Sequence, residues 1–159
     1  MNKTTNSQES KGRVRLKKLE KEGKWVFHGS GLKINILEPH QAYNYPKSSG
    51  TKGVPDDKPA VFASVFADVA IFMAVVNKLN APYNFRSGFS VHGDNTFEFR
   101  ATKETMEQIQ NVKGYVYVFD KSKFKNRSTS ELLSYKAVIP DEMIVVNEKD
   151  LPKNITSIN

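Results

Sequence analysis

The sequence predicts an α+β protein built on a mainly antiparallel sheet, and three observations lead there. GYVYVFD (114–120) alternates with period two, the pattern of a strand. FSVH and TFEFRA flank Gly93-Asp94, a hairpin signal. Strand-like segments outnumber helical ones and come in runs rather than alternating with helices. A chain of 159 residues suits one hydrophobic core.

The elements follow in order. MNKTTNSQESKG (1–12) is set apart as a disordered tail, with a single domain over 13–159. Across that boundary KGRVRLKKLEKEG (11–23) has the pattern of a short charged helix, with Leu16 and Leu19 on one face and Gly23 as its stop. WVFH (25–28) reads as a strand. Residues 38–59 are dense in Pro, Gly, Ser, Asn and Asp and read as one long loop without periodicity. PAVFAS (59–64) is a short buried strand. FADVAIFMAVVNKL (66–79) is apolar nearly all round, as a buried helix is. After the hairpin come a short helix over 102–110, the GYVYVFD strand and a polar loop, KSKFKNRSTS. ELLSYKAVIP (131–140) and MIVV (143–146) read as the last strands.

Composition narrows the function. A hydrophobic share of 38% with 11% aromatics fits a folded chain. The richest apolar run is broken by Ser64 and Asp68, so no membrane span or membrane partner is expected. The polar N-terminus has no apolar signal region, and cysteine is absent. A cytoplasmic location is expected on both counts, and thiolate zinc sites and cysteine nucleophiles are excluded.

The charge of +7 is uneven. Residues 1–24 carry eight Lys/Arg (Lys3, Lys11, Arg13, Arg15, Lys17, Lys18, Lys21, Lys24) against Glu9, Glu20 and Glu22, a balance of +5, and the other 135 residues carry +2. Such a segment either steers a polyanion or is a solvated arm. The lack of aromatics interleaved with the basic run favours the solvated arm.

WVFHGSG (25–31) is the segment that asks for chemistry. It places a histidine and two glycines where a buried strand meets a polar turn. An esterase oxyanion loop would need a G-x-S-x-G nucleophile elbow, and there is none. His28, His40 and His92 have no helix-spaced ligand partner, so no metal is implied. Neither G-x-x-x-x-G-K-[ST] nor G-x-G-x-x-G occurs.

The blocks HGS (28–30), VFA (61–63) and ELLSY (131–135), with a buried helix after the second, resemble the catalytic core of ADP-ribosyltransferases. The likeness is to the histidine–tyrosine–glutamate branch that includes the poly(ADP-ribose) polymerases. The resemblance implies a split antiparallel sheet, NAD as co-substrate, and ADP-ribosyl transfer with release of nicotinamide. Glu131 falls at the catalytic glutamate. His28 falls at the histidine that bonds the adenosine ribose, and Gly29 at the glycine whose backbone holds the carboxamide, with Ser30 beside it.

Val61 stands where that family has its stacking tyrosine. Phe62 is adjacent but points to the other face of the strand. Phe72 falls where the polymerases carry a second aromatic and is the favoured replacement. Tyr43 and Tyr45 are placed to close over the ligand from the 38–59 loop.

RNA 2′-phosphotransferases share the fold and also open on a histidine–glycine block. They are the alternative, with Arg13, Arg15, Arg86, Arg100 and Arg127 as candidate phosphate ligands. An inactive nucleotide- or nucleic-acid-binding module on the same scaffold is the third reading. The acceptor of ADP-ribose, protein or nucleic acid, is left open.

Overall fold

The structure, a computed structural model, describes residues 10–44 and 53–159. Among them are three α-helices and ten strands, mostly in antiparallel pairs, so the chain is α+β. No helix among the described residues is long and apolar enough to cross a membrane.

In chain order the elements are α1 (Lys11–Glu22), β1 (Trp25–Ser30), β2 (His40–Asn44), β3 (Val54–Ser64) and α2 (Ala67–Val75). Then follow β4 (Ser87–Val91), β5 (Phe97–Thr102), α3 (Lys103–Gln108), β6 (Lys113–Asp120) and β7 (Lys125–Asn126). The last are β8 (Glu131–Ser134), β9 (Glu142–Asn147) and β10 (Ile155–Ile158). The larger sheet runs β7-β8-β3-β1-β6-β9, with β2 on β3. The smaller runs β10-β5-β4, and β10 lies parallel to β5.

Alternation along the central strands divides the core. Phe27, Val116 and Val118 join Ile71, Phe72 and Phe99 on the side of the helices and the smaller sheet. Val26, Tyr117, Phe119, Val61, Ala63 and Leu132 form a second cluster on the opposite face of the larger sheet. The Tyr117 hydroxyl keeps its hydrogen-bonding capacity there by donating to the Leu32 carbonyl and accepting from Ile34 N–H.

Several boundaries differ from those the sequence predicts, each for a local reason. Helix α1 starts at Lys11, as the 11–23 pattern predicts, so residues 11 and 12, also read as tail, belong to the fold, and Gly12 is buried against Val145 and Val146. Residues 1–9 lie outside the described residues. The segment 38–59 is not one patternless loop, because β2 and the first half of β3 pair within it (Tyr43↔Pro55, His40↔Ala60). Pro55 and Pro59 fit because residues 54–60 pair with β2 alone among the described residues, which makes this half of β3 an edge.

Helix α2 ends at Val75, short of 79. Asn77 and Asn80 direct their amides to the carbonyls of Met73, Ala74 and Val75 and close the helix. Strand β8 ends at Ser134, whose hydroxyl donates to the Lys136 carbonyl and accepts from Lys136 N–H, turning the chain. Residues 151–159 carry no sequence expectation, and β10 lies within them.

Candidate functional site

The site begins where two central strands part. β1 pairs with β6 along its whole length, from Trp25↔Asp120 to Ser30↔Tyr115. With β3 it makes a single register pair, Phe27↔Ser64. Beyond that pair His28 fills the gap. Its Nδ1 lies 2.6 Å from the Phe62 carbonyl oxygen, so a side chain bonds where a ladder bond would otherwise run.

A cavity of about 320 Å³ opens at this place. That volume is at the lower end of small-molecule pockets. The register explains its composition. Phe27, Ser64 and Glu131 lie opposite one another across three strands, so they share a face, and Gly29 and Phe62 lie two residues along on the same face. All five line the cavity, with His28 at the gap. Helix α2 contributes Val69, Ala70 and Met73, and β4 contributes Phe89 and Val91. The walls are therefore largely apolar, with a polar margin made by His28, Arg127, Ser130 and Glu131.

Glu131 is half-buried at the head of β8. The turn before it is tightly bonded. Arg127 N–H and Ser128 N–H donate to the Glu131 carbonyl, and Ser128 Oγ accepts from Glu131 N–H. Arg127 Nε lies 3.4 Å from Glu131 Oε1. The same guanidinium sits 5.2 Å from the Phe62 ring centroid, within cation–π range. One arginine thus ties the carboxylate to the aromatic wall.

The protonation of His28 follows from its partners. A carbonyl only accepts, so Nδ1 carries the proton, and in the neutral ring Nε2 is left as an acceptor. Burial pushes the imidazole below its ordinary value of 6.5, opposed by the Phe62 bond and helped by nearby His40.

Above pH 6.5 both folded and unfolded chains hold a neutral His28, and its contribution is complete. Below 6.5 the unfolded chain takes up the proton first, so stability is lost as the pH falls toward the depressed folded value. Urea midpoints should therefore drop on acidification below about 6.5, and His28→Gln should flatten that slope. Equal slopes in the two proteins would refute the assignment.

The remaining sequence candidates are placed as follows. Val61 is buried in the core cluster on the opposite face of the sheet. The aromatic ring at the cavity from this strand is that of Phe62, because the cavity face is the one Val61 does not occupy. Phe72 does not line the cavity. It is 2% exposed and packs in the core against Phe99 at 4.9 Å, behind Phe89.

Ser30 caps the turn after β1 by accepting from Leu32 N–H and does not reach the lining. Tyr43, half exposed on β2, is also outside it. Tyr45 lies outside the described residues.

Met73, Phe89, Val91 and Ser130 line the cavity without having been marked in the sequence, and Arg127 was considered only among dispersed arginines. The i, i+4 spacing of Arg127 and Glu131 is the one sequence signal that points to their pairing.

The arrangement can seat a flat apolar ring against Phe62 and offer hydroxyl groups one carboxylate and one imidazole acceptor. Among the described residues no group of three or more His, Asp or Glu is placed to hold a metal. Comparisons with protein-family models, with curated proteins and with solved structures find no match, so the geometry stands without an assigned family.

Proposed function

We propose that this chain is an NAD-dependent ADP-ribosyltransferase with the cavity between β1 and β3 as its active site, on a split-sheet scaffold of that class. The observation that carries the reading is the convergence of His28, Gly29 and Glu131 on one cavity from distant parts of the chain. The parting of β1 from β3 beside Phe27 supports a split sheet.

In the reaction, the bond between ribose C1′ and the nicotinamide nitrogen breaks, and its electron pair leaves with nicotinamide. The sugar develops oxocarbenium character. A nucleophilic atom of the acceptor adds to C1′ and loses its proton to solvent. Glu131 accepts hydrogen bonds from the ribose hydroxyls and opposes the developing positive charge. Arg127 holds that carboxylate in place. His28 supplies Nε2 as an acceptor for a hydroxyl of the adenosine ribose. Phe62 takes the stacking role against nicotinamide, and the apolar walls from α2 and β4 limit water.

Among the described residues the 2′-phosphotransferase alternative finds one cation here, Arg127. The other arginines go elsewhere: Arg13 to Asp68, Arg15 to Glu142, Arg86 to the Asn159 carbonyl, and Arg100 to Glu98. A cluster of arginines around a phosphate is therefore missing from this cavity among the described residues.

The test is nicotinamide release from NAD, alone and with candidate protein and nucleic-acid acceptors. Wild type should release it, and Glu131→Gln, which keeps size and removes charge, should lower the rate about a hundredfold or more. A folded wild type without release under any condition sinks the reading. Turnover of a 2′-phosphorylated RNA in its place would favour the alternative.

A further inference from the structure

A second and larger cavity, about 830 Å³, lies between α1 and the C-terminal segment. Arg13, Lys17, Lys18 and Lys21 line it from α1, and Lys149 and Lys153 face them. Among the described residues Asp68 is the one carboxylate in the lining, and it is engaged by Arg13 and by Lys17 at 3.1 Å. Lys18, Lys21, Lys149 and Lys153 are exposed and make no ion pair among the described residues.

Four uncompensated ammonium groups at one cavity repel one another. The arrangement is relieved by an anion.

We propose that this cleft binds the phosphate backbone of a single-stranded nucleic acid. Lys18 and Lys21 stand one turn apart on α1, and Lys149 and Lys153 line the facing wall. The four free ammonium groups are thus spread along both walls of the cleft, which suits a chain of phosphates better than one isolated phosphate. Half-buried Phe97, on β5, lies in the same lining and offers apolar contact to a base. No aromatic is interleaved with the basic run in the sequence, but the fold brings one to it from β5. The proposal rests on this cavity alone and is independent of NAD chemistry.

Binding of a fluorescein-labelled, mixed-sequence RNA of about twelve nucleotides to the full chain, followed by anisotropy, tests it. Affinity should fall between about 50 and 200 mM salt with a log–log slope near −3, about −0.7 for each of four lysine–phosphate contacts. Lys18→Glu/Lys153→Glu should weaken binding at least about tenfold and reduce the slope.

Lys113→Glu/Lys136→Glu makes the same charge change at exposed positions outside the cavity and should bind like wild type. Equal losses in both double variants would overturn the site. So would an absence of binding, or equal competition by tripolyphosphate and by unlabelled RNA of matched phosphate concentration. Preference for a duplex of the same sequence would overturn the single-strand assignment.

Discussion

Gly29→Ala is expected to lower the unfolding free energy by at least about 3 kcal/mol, or to prevent folding. A Cβ at position 29 would lie 1.9 Å from the Ala70 carbonyl oxygen and 2.7 Å from Ala74 N, both backbone atoms of α2. Backbone cannot rotate aside as a side chain can, so the helix would have to lift off the sheet. Gly114 on β6 meets the same helix, with its Cβ position 2.1 Å from the Ala74 carbonyl oxygen.

The two glycines and the small residues Ala70 and Ala74 let α2 lie directly on β1 and β6. Gly114→Ala should cost a similar amount, whereas Gly93→Ala, with nothing within 4 Å, should be close to neutral. Chemical denaturation of the three variants measures this. A Gly29→Ala protein within about 1 kcal/mol of wild type would refute the packing argument.

The resemblance puts Gly29 where backbone holds the carboxamide, but the fold already requires glycine there for the helix. Loss of activity in Gly29→Ala would therefore report on α2 first. Glu131→Gln is the cleaner probe, because Glu131 stands half-buried at the cavity margin and leaves no core contact behind.

What the sequence could and could not reveal follows from the range of the forces involved. β6 and the β4–β5 hairpin were legible because alternation and a turn dipeptide are local signals. His28 and Glu131 were legible as candidates through the three spaced blocks, and the fold then puts them at one cavity.

The aromatic partner was not legible. Alternation separates Val61 from Phe62 correctly, but which of the two faces holds the cavity depends on which side α2 covers. Phe72, which the resemblance favours, is core because Phe89 and Phe99 of the smaller sheet close over it. The pairing of β2 with β3 was hidden by Pro55 and Pro59, which read as loop residues unless the edge is known. The cationic cleft was half visible. The charge excess lay in the sequence, but its opposing lysines and its phenylalanine arrive from β5 and the C-terminal segment.

Asp150→Ala should destabilise the protein by about 2–3 kcal/mol, since two part-buried amide donors lose their acceptor at once. Ser10 is the N-cap residue of α1 but makes no side-chain cap bond of its own. The cap comes from the other end of the chain. Asp150, 1% exposed, accepts from Arg13 N–H through Oδ1 at 2.8 Å and from Ser10 Oγ through the same oxygen. Its Oδ2 accepts from Asn147 N–H at 2.8 Å, completing the capping box of the one-turn helix at 148–150.

A carboxylate at a helix N-terminus also opposes the positive end of the helix dipole. One side chain therefore fixes α1 and the C-terminal segment to each other, the two walls of the cationic cleft. Asp150→Asn keeps the shape and one acceptor oxygen, so it should cost less than Asp150→Ala and retain more of the RNA affinity. Hydrogen exchange should quicken at Arg13 and Asn147 in both variants, most in Asp150→Ala. Unchanged protection at those two amides would mean that the helix is capped by something other than Asp150.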